Sequence, residues 1–366
     1  MKKLALLLAF AMLLPMMFSC GQKSDESKSE SKTVSETSKT ESLTTSGEES
    51  MPDTNYVDKI ERHPTTIVKK DDSTYVITTE LYDGVYTRTF YKRSWGTWNI
   101  GSMTFKPKDG SEITFVTAST DWEYVFRAGK TADTINFCGG NHENEKMIDI
   151  KFFDGETDKE LSLDDKKPVT VDLLKIIENT QIHYNKTPND VFAKVERIYY
   201  YAGKSIYNEC NYELVQDTHF SLSYTAMFPI NKEYGTRIIY NNVNGTKREW
   251  TSETVESYNY KNFEGPFDKG NAALSVNIFG YKDPRYQFGI EVFTKEDSTD
   301  NFKNSSKTFY WDMSKGQNKL YFSRFPDTGS SLVKKGEKWN TLTKWEFNFV
   351  EDAVYEEPET SKAVSK

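Results

Sequence analysis

TYVITTELYDGVYTRTFY, residues 74–91, decides the fold class. Thr74 to Thr79 is built from β-branched and aromatic residues, Tyr82-Asp83-Gly84 punctuates it, and Val85 to Tyr91 runs back with the same character. Asp-Gly supplies the positive φ that a tight hairpin turn demands, so an antiparallel hairpin is expected here. Strand-like stretches follow it on the C-terminal side: GTWNIGSMTF at 96–105, EITFVTA at 112–118 beyond the Asp109-Gly110 turn, and DWEYVFR at 121–127.

The rest of the chain repeats the pattern. Phe220, Leu222, Tyr224, Ala226 and Phe228 alternate with Ser221, Ser223 and Thr225. Leu274, Val276 and Ile278 form a second apolar row, and Tyr286, Phe288, Ile290 and Val292 a third. Trp345, Phe347 and Phe349 alternate with Lys344, Glu346 and Asn348. A period of two with one wet face means antiparallel sheets covered on one side. Residues 173–178 read either as a short helix or as a strand after Pro168. Stacking two sheets buries such rows, so the expectation is all-β: a large antiparallel β-sandwich over residues 55–351. One domain is expected there, because no linker-like composition interrupts it; a split near LSLDDKK, 161–167, is the alternative. Residues 352–366 are polar and read as a loose tail.

Composition narrows the function classes. The chain has 366 residues, enough to bury a sizeable core, with 22 Tyr, 23 Phe and 7 Trp. Aromatic content of this kind suits wide sheets first and sugar-stacking platforms second. A net charge of −8 gives no basic field for a nucleic acid, which excludes that partner class at the level of the whole chain.

The N-terminus reads MKKLALLLAFAMLLPMMFSC, residues 1–20. Two lysines, an apolar run from Leu4 to Phe18, and Ser19 before Cys20 make an export signal too short for a comfortable membrane span. A cysteine after a small residue at this point resembles the lipobox of bacterial lipoproteins, with Met17 and Phe18 standing where that family usually has Leu and a small residue. The resemblance implies a signal peptide over 1–19, a lipid on Cys20, and anchoring to the bilayer of a bacterial membrane, periplasmic or at the cell surface. An ordinary secretory signal is the other reading, and export follows from both. Residues 20–54 are almost entirely Ser, Thr, Lys and Glu. With little to bury, they are expected to stay disordered as a tether, reaching roughly 100 Å fully extended and about 30 Å as a coil. Of the three cysteines, Cys138 and Cys210 remain once Cys20 is acylated. An exported chain permits a Cys138–Cys210 disulfide; two buried thiols are the alternative.

Three stretches offer chemistry. GGNHENE, 139–145, follows Cys138 and packs an imidazole, two carboxylates and two amides behind paired glycines. His142 is suited to act as a general base, with Glu143 or Glu145 orienting it. Alternatively His142 and Glu145 hold a divalent metal with ligands from elsewhere; a solvated turn is the plain reading. RSWGTW, 93–98, offers Arg93, Trp95 and Trp98 as a sugar platform, with Trp122 as a second, against the reading that each Trp anchors the core. His183 beside Tyr184, with Arg197 and Tyr199-Tyr200-Tyr201, resembles the Tyr and His equipment of β-sandwich polysaccharide lyases. At class level the strand pattern and aromatic content resemble the large β-sandwiches of exported carbohydrate-active and carbohydrate-binding proteins. That resemblance implies a polysaccharide partner, engaged by a lyase, a hydrolase or a binding protein. A non-catalytic attachment or scaffold lipoprotein is the alternative class.

Overall fold

The computed structural model describes residues 56–117, 122–163, 166–242, 245–251, 261–263, 273–293, 308–312, 317–325 and 329–356. The expected signal peptide, Cys20, the tether and Asp121 lie outside the described residues. Residues 53–366 cluster as one compact unit.

The chain is an antiparallel β-sandwich. β1 (Thr65–Asp71), β2 (Thr74–Leu81), β3 (Gly84–Lys92), β4 (Trp98–Pro107) and β5 (Ile113–Val116) form a meander. β6 (Phe126–Gly129) and β7 (Asn136–Cys138) start a small sheet, and β8 (Glu145–Asp154) turns back through β9 (Lys159–Glu160). β10 (Val169–Val171) pairs with β1 and completes a six-stranded sheet. The long strands β11 (Leu174–His183), β12 (Val191–Ala202) and β13 (Ser205–Leu214) continue from β8 as the middle of a ten-stranded sheet. After β14 (Thr218–Phe220) and β15 (Tyr224–Asn231), that sheet gains β16 (Arg237–Asn242) and β17 (Lys247–Thr251) at its far edge. β18 (Lys261–Phe263), β19 (Ala273–Phe279), β20 (Tyr286–Phe293), β21 (Thr308–Asp312), β22 (Gln317–Ser323), β23 (Ser331–Val333) and β24 (Lys338–Phe349) close the order. β24 lies between β20 and β13 and joins the two halves of the large sheet. Two four-stranded sheets, β23-β14-β6-β7 and β15-β22-β21-β18, complete the set.

The core lies between the six- and ten-stranded sheets. Ile77, Tyr86, Phe90, Ile100 and Phe105 from one meet Ile176, Tyr199, Tyr201, Ile290 and Phe347 from the other, with Phe228 and Phe322 alongside. Phe347 shows how the aromatic content is used: its ring centroid lies 4.8 Å from Tyr86, 5.3 Å from Phe105 and 5.3 Å from Phe288. Each such ring removes enough apolar area from water to contribute about 1.5–3 kcal/mol.

Several local expectations are corrected. Of the two readings of 173–178 the strand holds from Leu174 onward: Leu174 to His183 pair with β12, and Leu173 lies just before them. The apolar row at 220–228 is two strands in different sheets. Ser221 N donates to Arg127 O at 2.9 Å and Tyr224 N to Val125 O at 2.7 Å, and beyond this crossing β15 pairs with β22. In DWEYVFR only Phe126 and Arg127 enter a named strand. The positive φ of the first hairpin sits at Tyr82 (53°) and Asp83 (55°) rather than at Gly84. Gly84 opens β3, where an added Cβ would stand 2.5 Å from Lys106 O and 2.5 Å from the Phe105 ring. Of the expected tail, Tyr355 accepts a 3.0 Å hydrogen bond from Thr236 and packs edge-on against Phe279, and residues 357–366 lie outside the described residues. Cys138 and Cys210 are separate buried thiols with no bridge between them. Cys210 Sγ donates to Asn208 Oδ1 at 3.1 Å, and burial pushes both thiols up to about 12.

Candidate functional site

The loop 139–145 folds through a run of left-handed residues, Gly139 (φ 79°), Gly140 (54°), Glu143 (56°) and Asn144 (57°). Gly139 N closes it on Glu143 O at 2.8 Å. The turn sends its functional groups in opposite directions. His142 lies on the surface with its ring stacked on Phe137 at 4.4 Å. Partial burial, then the nearby Lys319 charge, hold its pKa below the usual histidine value. Glu143 is exposed beside it. Glu145 turns inward at the start of β8, where it accepts from Tyr124 OH, from Thr180 Oγ1 at 2.6 Å and from Gly140 N at 3.1 Å. The expected pairing of His142 with Glu145 is therefore not assembled. Among the described residues no group of three or more His, Cys, Asp or Glu side chains is placed to hold a metal ion.

Glu145 belongs to a buried charge cluster. Arg197 Nη2 on β12 lies 2.8 Å from Glu178 Oε2 on β11 and 3.6 Å from Glu145 Oε1, with all three side chains fully buried. Glu178 accepts from Trp98 N at 2.8 Å, and Glu123 accepts from Ile100 N at 2.8 Å and Tyr199 OH at 3.1 Å. The cluster thus ties the start of β4 to the large sheet. Its chemistry is structural: one buried guanidinium faces the Glu178 and Glu145 carboxylates, with Glu123 beside them on Ile100 and Tyr199. Burial outweighs Arg197 and the Trp98 hydrogen bond at Glu178 and, with Glu145 and Glu123 nearby, raises its pKa to about 8.

The sugar platform expected at 93–98 divides in the same way. Trp98 is core, stacked on Phe90 and packed against Tyr75, and Trp122 is core between Phe228 and Trp345. Arg93 lies over the Tyr91 and Trp95 rings and donates to Asn141 Oδ1 at 2.8 Å. It brings the 93–98 and 139–145 stretches together as a strut between two loops. Tyr184 is buried on Phe192, with its hydroxyl 2.9 Å from Thr218 Oγ1. His183 ends β11 half-buried, its backbone N donating to Asn144 O at 2.9 Å.

One of several open concavities lies on the other face of the large sheet, away from the residues that sequence singled out. A groove of about 650 Å³ crosses β8, β11, β12, β13 and β24. Register sets its floor in two rows: Asp149, Asn179, Glu196, Asn211 and Asn340 are successive cross-strand partners, as are Gln181, Lys194, Glu213 and Lys338. Five strands at the usual spacing give the first row a span of about 19 Å. Asn179 Nδ2 donates to Asp149 at 2.9 Å, Asn211 Nδ2 to Glu196 at 3.2 Å, and Asn340 Nδ2 to Asn211 Oδ1 at 2.8 Å. Because carboxylates only accept, these bonds fix which way the Asn179 and Asn211 amides point. Each amide keeps hydrogen-bonding capacity for a ligand, already oriented.

The apolar part of the same outer face is sealed. The 3-10 turn Tyr56–Lys59 lays Tyr56 over Tyr207 at 6.2 Å and bonds its hydroxyl to Glu209 at 3.0 Å, while Ile60 packs with Leu173, Tyr200 and Ala202. The signal for the groove was present as Asn and Gln at the wet positions of several strands. Which strands are neighbours was not written in the chain order, since β24 reaches β13 across 129 residues at the Asn340–Asn211 pairing.

No family model matches the chain, and no curated protein matches it. Solved structures with similar architecture include the galactosidase domain of the α-galactosidase-sucrose kinase AgaSK, at TM-score 0.44 and 7% identity over 78% of this chain and 42% of that one. A GH36 α-galactosidase from Geobacillus stearothermophilus matches at TM-score 0.44 and 8% identity, over 78% of this chain and 41% of that one. A galactose mutarotase-like protein from Clostridium acetobutylicum matches at TM-score 0.41 and 9% identity, over 79% of this chain and 99% of that one. The chain spans about two fifths of the length of the α-galactosidase structures it matches. At these TM-scores the likenesses carry neither substrate nor chemistry over to this chain.

Proposed function

We propose that this chain is an exported lipoprotein, anchored through a lipid on Cys20, whose β-sandwich binds a glycan. The observation that carries the glycan is the open polar groove, with its amides held in place by neighbouring carboxylates. Sugar hydroxyls both donate and accept, and oriented amides match them without the ordering cost that free side chains would add. Binding is preferred over lyase or hydrolase chemistry because His142 stands on Phe137 while Glu145 is held in the interior. The anchor rests on the N-terminal sequence alone, with Ser19-Cys20 closing the apolar run.

The test uses the full chain against a polysaccharide panel, following retention, ultraviolet absorbance from unsaturated uronate, and new reducing ends. Retention without product is expected, and it should be lost in an Asn179→Ala/Asn211→Ala double variant that still unfolds cooperatively. Product formation abolished by His142→Ala would replace the binding reading with an enzymatic one. Folded protein retained by no glycan would leave the attachment or scaffold class.

A further inference from the structure

We infer that the groove takes an uncharged glycan and that Ile148 supplies its apolar contact; the inference rests on the glycan-binding reading. The charge pattern carries the first half. Asp149, Glu196 and Glu213 line the groove against Lys194 and Lys338, and no arginine is among the lining residues. Both lysines are cross-strand partners of Glu213, and Asp149 and Glu196 stand in the neighbouring row. A uronate or sulfate entering here would meet three carboxylates against two lysines and find no bidentate guanidinium to replace its hydration. An uncharged sugar meets no such penalty.

A β-bulge carries the second half. β8 pairs Asp149 with Asn179 and Met147 with Thr180, which leaves Ile148 as the extra residue between them. Bulges break the alternation of a strand and re-aim a side chain. Here the result is an isoleucine 49% exposed at the wall of a polar groove. A sugar ring presents C–H groups on its face and hydroxyls at its edge. Ile148 beside the Asn179 amide offers one surface to each.

The experiment measures retention of the full chain on two uncharged glycans, a β-glucan and a galactomannan, and two acidic ones, alginate and heparin, at low and high salt. Retention is expected on at least one uncharged glycan, unchanged by salt, and on neither acidic one. Ile148→Ser should weaken that retention about tenfold, the scale of one apolar contact, while Ile148→Leu stays near wild type and both melt normally. Salt-sensitive retention on an acidic glycan that Asn179→Ala abolishes would overturn the uncharged assignment and leave glycan binding standing. Retention indifferent to Ile148→Ser would overturn the role of the bulge. No retention on any of the four by folded protein would overturn the underlying reading itself.

Discussion

Glu178 is the residue where sequence and environment conflict most. Its carboxyl is fully buried, 2.8 Å from Arg197, with Glu145 drawing on the same guanidinium at 3.6 Å. With a folded-state pKa raised to about 8 against an ordinary 4.5, the folded chain holds a proton that the unfolded chain has released throughout that interval. Stability from this group is therefore full below about 4.5 and declines as pH rises toward about 8. Urea midpoints across the interval should fall with pH in the wild type, and Glu178→Gln should flatten that slope. Above about pH 8, where Glu178 is ionised, Arg197→Met should be severe, at about 3–5 kcal/mol, because it leaves buried carboxylates without their counter-charge; an unchanged urea midpoint there would contradict that. Part of this was legible. Once 174–183 is a strand, Leu174, Ile176, Glu178, Thr180 and Ile182 share its buried face. Sequence marked Glu145 and Arg197 for chemistry without showing that they point inward toward each other, because their meeting depends on β8 and β12 flanking β11.

At the scale of elements, alternation was readable and its interruptions were not. The β2–β3 hairpin was legible from 74–91, but the turn uses Tyr82 and Asp83 at positive φ, with Leu81 and Gly84 as the closing pair. Tyr82 is retained in that conformation with its ring against Phe347 and its hydroxyl donating to Phe347 O at 3.2 Å. Gly84 is required for space: Gly84→Ala should cost about 1–3 kcal/mol by overpacking against Phe105 and Lys106 O. Asp83→Gly should be neutral or stabilising, since it relieves a left-handed residue. Thermal unfolding of the two variants checks the assignment; equal losses would return the special role to the Asp-Gly dipeptide. The Ile148 bulge and the crossing at 221–223 escaped period-two reasoning for a common reason. Each is a break in register imposed by a partner strand, and a single strand does not record its partners.

At the scale of the whole molecule, the β-sandwich follows from sheets that each need a cover. The large sheet is covered on one face by the six-stranded sheet and on part of the other by Tyr56–Lys59, which leaves the polar groove to solvent. The expected tether, residues 20–54, precedes that covering turn in the chain. Cys20→Ser should move the chain from the membrane fraction to the soluble fraction without changing its melting temperature; membrane retention of that variant would remove the lipid from the account. The most direct test of glycan binding is a titration of the full chain with the best-retained polysaccharide, wild type beside Asn179→Ala/Asn211→Ala. Saturable binding in the wild type, lost in a double variant of unchanged melting temperature, is the predicted result. Equal binding by both proteins would place the glycan elsewhere and contradict the assignment of the groove.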